Sequence, residues 1–138
     1  MDNRTQEDRR KNMRAVRAKN TKPELRVRRL LHANDYRYRL HKRSLPGTPD
    51  LVFMGRQKTI FVHGCFWHGH NCPKRKLPQT NTSFWREKIE QNRARDSRNL
   101  QKLIETGWDY LVLWECDLKA MNDGDLLKRL VAYLDDVI

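Results

Sequence analysis

Residues 50–63, DLVFMGRQKTIFVH, decide the fold of this chain because they predict a β-hairpin. The runs at 50–54 and 59–63 are rich in β-branched and aromatic residues, and a short polar stretch with a glycine separates them. Two such runs joined by a turn are typical of paired antiparallel strands. The hairpin begins with Asp50 and ends with His63, so each strand carries one polar side chain suited to chemistry.

The residues before the hairpin predict a helix, a strand and a loop. Residues 21–33 begin with Thr21 as a helix N-cap, carry Glu24 at the capping-box position and continue with several leucines. Residues 36–41 alternate apolar and basic side chains, which is typical of a half-buried strand. The loop at 45–49 is rich in proline and glycine. We therefore expect a third strand close to the hairpin in sequence.

The residues after the hairpin predict a strand–helix–strand crossover. Residues 64–82 are irregular, and residues 82–106 predict a long helix closed by Gly107. An apolar run at 108–116 predicts a buried strand, and leucines at helical spacing predict a last helix around 126–134. This order favours an α/β fold in which a mixed sheet has helices on both faces.

The length of 138 residues, with 38% hydrophobic residues, suits one domain spanning 1–138. No apolar stretch approaches the length of a membrane span, and the charged N-terminus does not resemble a signal peptide. We expect a cytoplasmic monomer, bound to the nucleoid if the source is bacterial. Three cysteines in a reducing compartment favour metal ligation or free thiols over disulfides.

The formal net charge of +12 is concentrated at the N-terminus. Residues 1–43 contain 15 basic and 5 acidic side chains, whereas residues 44–138 contain 14 and 12. Lysine and arginine gain affinity for phosphates by displacing counterions, so a polyanionic partner is expected. Residues 1–20, with few apolar side chains, predict a basic helix or arm that docks on DNA. The alternative is an ordinary solvated basic surface.

Three soft ligands fall close together in the irregular segment and predict a zinc site. Cys65, His70 and Cys72 lie on one short loop, and Cys116 at the end of the last predicted strand would complete a tetrahedron. A loop rich in glycine and proline has little apolar content, so a structural metal would hold it in place. The alternative is that Cys116 is a buried strand residue and that the loop cysteines are incidental.

The hairpin also predicts a magnesium site. Asp50 offers the oxygen ligand that Mg²⁺ prefers, and a backbone carbonyl near Val62 could add another. His63 and His68 follow, and histidine exchanges protons near neutral pH, as a general base must. The arrangement resembles the metal site of PD-(D/E)XK nucleases, although the usual second acid and lysine are absent. The alternative is that Asp50 is a turn residue.

Several longer motifs carry a resemblance to one family. They are KNMRA at 11–15, SLPGTPD at 44–50, HGCFWHGHNC at 63–72, FW at 84–85 followed by KI at 88–89, GW at 107–108 and WEC at 114–116. Together they resemble the very short patch repair (Vsr) DNA mismatch endonucleases. The similarity covers nearly the whole chain, and the HGCFWH core is its most specific part.

The resemblance implies a restriction-endonuclease-like fold with a structural zinc, and Mg²⁺-dependent nicking of duplex DNA 5′ to the T of a T·G mismatch. It implies Asp50 as Mg²⁺ ligand, His68 as general base and His63 as a second catalytic histidine. Glu24 and Asp96 would support the site, but the sequence leaves open which histidine each orients. The implied zinc ligands are Cys65, His70, Cys72 and Cys116.

The same resemblance implies several DNA contacts, with repair-pathway proteins as further partners. Aromatic side chains would wedge into the base stack beside the mismatch, and residues of the N-terminal helix would contact the minor groove and phosphates. The implied aromatic wedge comprises Phe66, Trp67 and Trp85, and the implied N-terminal contacts are Met13, Lys11 and Arg14.

Other interpretations stay open at this point. Val62 stands where the family pattern suggests threonine, which is harmless only if that position acts through its backbone. Glu24 could be a helix cap alone, Asp96 a surface ion-pair partner, and Trp85 a core residue. The chain could also be a zinc-dependent DNA-binding module without catalysis, or a nuclease of the same fold with a different substrate. The sequence does not specify the flanking bases or a methylation requirement.

Overall fold

A computed structural model of the chain describes residues 21–65, 68–70 and 80–135. Its centre is a four-stranded sheet. The strands are β1 (Arg39–Leu40), β2 (Leu51–Phe53), β3 (Lys58–His63) and β4 (Asp109–Trp114), and they lie side by side in the order β1-β2-β3-β4. Antiparallel pairs join β1 to β2 and β2 to β3, whereas β3 and β4 are parallel. The predicted mixed sheet is confirmed.

Helices flank the sheet. They are α1 (Lys22–Ala33), α2 (Thr82–Glu105), α3 (Glu115–Ala120) and α4 (Asp123–Leu134), and a 3-10 turn, Met54–Arg56, joins β2 to β3. The long α2 is the crossover that lets β3 and β4 run parallel. No helix in the described part of the chain is both long and apolar enough to cross a membrane.

The alternation of side chains along β3 separates two layers. Ile60 faces α1 and α4, where it joins a fully buried core with residues such as Leu31 and Leu130. The neighbouring Phe61 faces the opposite side, towards α2. His63 shares the face of Phe61 and is likewise buried. The fold therefore places the end of β3 directly beneath α2.

Local signals explain where two helices begin and end. Thr21 caps α1, its Oγ1 accepting the Glu24 N–H at 3.4 Å, as the capping pattern predicts. At the C-terminal end of α2, Gly107 adopts φ +88°, and its N–H donates to the Ile104 carbonyl at 3.1 Å. The Trp108 N–H donates to the Leu103 carbonyl at 3.0 Å, which completes a Schellman motif. The chain thus reverses directly into β4.

Two element boundaries differ from the sequence prediction. The strand expected at 36–41 is only two residues long, Arg39–Leu40, and it ends where His41 adopts a left-handed backbone angle, φ +47°. The last strand ends at Trp114 instead of Cys116. Its partner β3 ends opposite Trp114, so the chain has no further strand to pair with and turns into α3. Cys116 is therefore a helical residue.

Candidate active site and metal centre

Three clusters of polar side chains lie around the end of β3. In each cluster the candidate ligand atoms lie within 4.8 Å of one another. We call them the carboxylate cluster (Glu24, His41, Asp50), the histidine cluster (His63, His68, Asp96) and the thiol cluster (Cys65, His70, Cys116). Residues from α1, the hairpin, α2 and α3 converge here, which explains why the sequence separates them so widely.

Asp50 is fixed by the main chain of β3. It immediately precedes β2, and its Oδ2 accepts the N–H of Val62 at 2.7 Å. The side-chain carboxylate thus takes the place of a backbone acceptor for β3, one residue before β2 begins. In a strand, the N–H and C=O of one residue point to the same neighbour, so the Val62 carbonyl is directed to the Asp50 side. The two predicted Mg²⁺ ligands therefore face each other.

Glu24 and His41 complete the carboxylate cluster. The His41 Nε2 lies 3.1 and 3.0 Å from the two oxygens of Glu24 and 3.8 Å from Asp50 Oδ1. Glu24 is only 1% exposed and also accepts a hydrogen bond from Arg28 at 3.3 Å. Glu24 thus takes part in the Thr21 cap through its backbone N–H and in the carboxylate cluster through its side chain, so the two interpretations of Glu24 are compatible.

Sequence reasoning missed His41. Alternation along the predicted strand placed it with basic, solvent-facing residues. Its left-handed backbone breaks that alternation, and its N–H donates to the Asp50 carbonyl at 3.2 Å. The one available signal was the register between β1 and β2, because pairing of Leu40 with Leu51 brings position 41 opposite position 50.

The two carboxylates of the carboxylate cluster lie close enough to affect each other's ionisation. Burial raises the pKa of Asp50 to about 7, the Val62 N–H opposes this rise, and the charge and hydrogen bonding of Glu24 add to it. Two adjacent buried carboxylates disfavour ionisation of the second. A bound cation would relieve this repulsion, and the oxygen-rich donor set fits a hard divalent ion.

In the histidine cluster, Asp96 orients His68. The His68 Nδ1 lies 2.5 Å from Asp96 Oδ2. The carboxylate therefore accepts a hydrogen bond from Nδ1–H, and Nε2 remains the basic nitrogen of the ring. The partner of Asp96, which the sequence left open, is thus His68. The His68 ring also stacks on His63, with centroids 3.7 Å apart and planes 3° from parallel.

His63 is a buried, neutral histidine. Burial and the charge of His68 together lower its pKa to about 3, although Asp96 opposes this change. Its ring lies edge-on to Phe61 and Trp114, at 5.6 and 5.3 Å. Among the described residues, the buried Nδ1 of His63 has no hydrogen-bond partner. His63 therefore adds no positive charge beside His68 at neutral pH.

The thiol cluster has the chemistry of a zinc site. Cys65 is buried, and Cys116 Sγ lies 3.4 Å from His70 Nδ1. Zinc bonds of about 2.3 Å to sulfur and about 2.0 Å to nitrogen at a tetrahedral angle give an S···N separation of about 3.5 Å. Both cysteines are free thiols. Three of the four predicted ligands therefore fit zinc, and Cys72 lies outside the described residues.

Gly69 separates the histidine and thiol clusters. It adopts φ +63°, and a Cβ at this position would lie 2.5 Å from the Arg93 side chain and 2.7 Å from that of Ile89. A side chain here would therefore force the loop away from α2. The close approach lets His68 reach Asp96 while His70, two residues later, stacks on Trp114 at 4.1 Å.

Most of the predicted DNA-contacting residues lie outside the described residues. Trp85 is described, in the first turn of α2, where it is half-buried and packs edge-on to Phe84 at 5.3 Å. Phe84 is 59% exposed, so an aromatic surface lies at this end of α2. The predicted contacts outside the described residues are Lys11, Met13, Arg14, Phe66 and Trp67.

Comparison with known proteins now gives the family. Residues 1–74, more than half of the chain, match the family model described as DNA mismatch endonuclease Vsr. The chain belongs to the Vsr DNA mismatch endonuclease family. The Vsr match includes Asp50, His63, Cys65 and His68, so it covers the end of β3 around which the three clusters lie.

Curated relatives extend the Vsr similarity over almost the whole chain. The type II nicking enzyme V.XorIIP of Xanthomonas oryzae pv. oryzae is 51% identical over 129 residues, covering 94% of this chain and 93% of the relative. The DNA mismatch endonuclease Vsr of Escherichia coli K12 is 42% identical, covering 90% and 81%. The type II nicking enzyme V.NmeAIP of Neisseria meningitidis is 40% identical, covering 89% of each chain.

Proposed function

We propose that this chain is a DNA endonuclease that nicks one strand of a duplex 5′ to the T of a T·G mismatch, by Mg²⁺-dependent hydrolysis of the phosphodiester. The observation that carries the proposal is that the carboxylate cluster and the oriented His68 both lie at the end of β3, where Asp50 accepts the Val62 N–H and His68 stacks on His63. Family membership supports the activity, because the relatives are named as mismatch endonucleases and nicking enzymes.

His68 is the proposed general base. Asp96 holds its Nδ1–H, which fixes the tautomer and leaves Nε2 to take a proton from water. The same carboxylate stabilises the imidazolium that forms. Neutral His63, stacked on the ring, supports its orientation without electrostatic competition.

Asp50 and the Val62 carbonyl are the proposed Mg²⁺ ligands. Their positions are set by the strand ladder, so neither needs a mobile side chain to reach the site. When bound, Mg²⁺ would stabilise the negative charge that develops on the phosphate and on the leaving 3′ oxygen. Because Val62 acts through its backbone in this proposal, replacement of the family's threonine by valine preserves the ligand.

Zinc is proposed as a structural ion held by Cys65, His70, Cys116 and Cys72. The first three lie together in the structure, and they join the loop after β3 to α3. We also propose a restriction-endonuclease-like architecture, supported by the mixed sheet, the flanking helices and the acidic residue at the start of the hairpin. Here Glu24 supplies the second acid from α1, a position that the hairpin sequence does not reveal.

Binding to duplex DNA is supported by the charge of +12 and the basic N-terminal segment. Selectivity for T·G is proposed to come from the aromatic wedge. A wobble pair stacks less well than a matched pair, so inserting an aromatic side chain beside it costs less. Phe84 and Trp85 place aromatic surface at the start of α2, which suits this role.

The proposed function is tested by single-turnover nicking of duplexes with one sequence and different central pairs. We expect cleavage of one strand 5′ to T in the T·G duplex, and slow or undetectable cleavage of the T·A and C·G duplexes. Omitting Mg²⁺ from the buffer should stop the reaction, and adding Mg²⁺ back should restore it. Equal cleavage of all duplexes would contradict mismatch selectivity, and binding without any nicking would identify a DNA-binding module instead.

The roles of His68 and Asp96 predict a graded loss of rate. His68→Ala should lower the single-turnover rate by about 10²–10⁴-fold, the usual contribution of a general base. Asp96→Asn should lower it by a smaller factor, because the amide no longer stabilises the imidazolium. Gln101→Ala, at an exposed position further along α2, is the control and should nick at the wild-type rate. Wild-type rates for folded His68→Ala would remove His68 from the mechanism.

A further inference from the structure

We infer that His41 is a further protein ligand of the proposed catalytic metal, and that the carboxylate cluster therefore binds first-row transition ions such as Mn²⁺ more tightly than Mg²⁺. The inference rests on the proposed function in one respect, that this cluster is the metal site. It adds a nitrogen donor to the oxygen ligands proposed from sequence.

The geometry of His41 suits metal ligation. In an octahedral site with bonds of about 2.1 Å, neighbouring donors lie about 3 Å apart and opposite donors about 4.2 Å apart. His41 Nε2 lies 3.0 Å from Glu24 Oε2 and 3.8 Å from Asp50 Oδ1. These separations fall within that range, so one ion could contact all three side chains with small adjustments.

The backbone directs His41 into the cluster. Residues other than glycine adopt left-handed angles infrequently, and such conformations persist where the surroundings fix them. His41 adopts φ +47°, and its N–H donates to the carbonyl of Asp50, so His41 is tied to a proposed metal ligand through the main chain as well. Its side chain is only 14% exposed, which is unlike a solvated surface histidine.

The charges around the site also suit a divalent ion. Glu24 and Asp50 supply two carboxylates, and the one positive charge of Arg28 contacts Glu24 at 3.3 Å. A divalent cation would add the positive charge that two adjacent carboxylates need when both are ionised. Mg²⁺ strongly prefers oxygen ligands, whereas imidazole is a good ligand for transition ions, so the nitrogen of His41 shifts the preference away from Mg²⁺.

Metal binding without DNA tests this assignment. The zinc-loaded full chain would be titrated with Mn²⁺ while electron paramagnetic resonance (EPR) follows the free ion, and Mg²⁺ would compete in a second titration. We expect Mn²⁺ to bind at least about tenfold more tightly than Mg²⁺. His41→Gln should weaken Mn²⁺ binding by about 10–100-fold and change Mg²⁺ binding much less. His32→Gln, at an exposed histidine in the last turn of α1, is the matched control.

Pulsed EPR of bound Mn²⁺ identifies the ligand directly. The wild type and His32→Gln should show ¹⁴N coupling from a coordinated imidazole, and His41→Gln should lose it. Absence of coupling in the wild type would overturn the inference even if the variant failed to fold. Coupling that persists in folded His41→Gln would assign the nitrogen to another histidine and overturn it equally. Neither readout requires nicking, so failure of the proposed endonuclease activity would be recognised separately.

Discussion

Asp50→Asn is expected to abolish Mg²⁺-dependent nicking of T·G duplexes while leaving duplex binding largely intact. The substitution removes the charge of the proposed metal ligand but keeps a side chain of the same size beside the Val62 N–H. DNA affinity should be retained because it comes mainly from basic and aromatic side chains elsewhere. Single-turnover nicking and electrophoretic mobility shifts, with Glu105→Gln as an exposed control, measure the two effects. Nicking at the wild-type rate would show that the metal site lies elsewhere.

The same substitution should stabilise the protein at pH 8 in the absence of Mg²⁺. The pKa of Asp50 is about 7 in the folded chain against 3.8 as its ordinary value, so the folded state binds this proton more tightly than the unfolded state. The associated stability is present below pH 3.8 and is lost as pH rises through 7. Asparagine carries no charge, so above pH 7 the variant avoids this loss.

The expected gain is on the order of 2 kcal/mol, which corresponds to roughly 5–10 °C in Tm for a domain of this size. Thermal melts of the zinc-loaded protein in Mg²⁺-free buffer at pH 5 and pH 8 measure it, and the gain should shrink at the lower pH. A surface substitution such as Glu105→Gln should change the free energy of unfolding by at most about 0.5 kcal/mol at either pH. A Tm for Asp50→Asn below that of the wild type at pH 8 would contradict the burial argument.

Cys65→Ser is expected to release zinc and unfold the domain. The Cys65 side chain is 3% exposed, and the thiol cluster joins the loop after β3 to the helix after β4. Structural zinc contributes about 10–16 kcal/mol in small zinc domains, comparable to the whole stability of about 5–15 kcal/mol that a typical domain possesses. Elemental analysis and circular dichroism of wild type and variant measure both consequences.

The control for the zinc prediction is His32→Gln, which removes an exposed imidazole outside the thiol cluster. It should retain one zinc per chain and the wild-type melting curve. A folded Cys65→Ser protein with wild-type Tm would show that the thiol cluster is not structural. Wild-type protein purified without chelators and found to contain no zinc would contradict the prediction outright.

The main features of the fold could be predicted because they depend on local signals. The hairpin at 50–63, the capped helix after Thr21 and the glycine stop at Gly107 are each encoded within a few residues. Where the prediction was wrong, a tertiary partner decided the outcome. Whether Cys116 continues a strand or starts a helix depends on where β3 ends, and that is a long-range property.

Most residues of the candidate site were named from the sequence, but the contacts between them were not. The family resemblance names Glu24, Asp96, His63 and His68. Spacing cannot show that Asp96, on the long helix α2, reaches His68. His41 was missed because one left-handed residue reverses the side-chain alternation on which strand predictions rest. Its role became apparent only when the register of β1 against β2 placed it beside Asp50.

The sequence positions of the clusters have a consequence for the order of events during synthesis. A ribosome releases the chain from its N-terminus, and early segments can begin to fold while later ones are still being made. All residues of the carboxylate cluster precede the end of β3, whereas Cys116 follows both α2 and β4. A nascent chain can therefore assemble the hairpin and its acidic residues before its last thiol exists. Zinc delivery to the complete ligand set must wait until α2 and β4 have been synthesised.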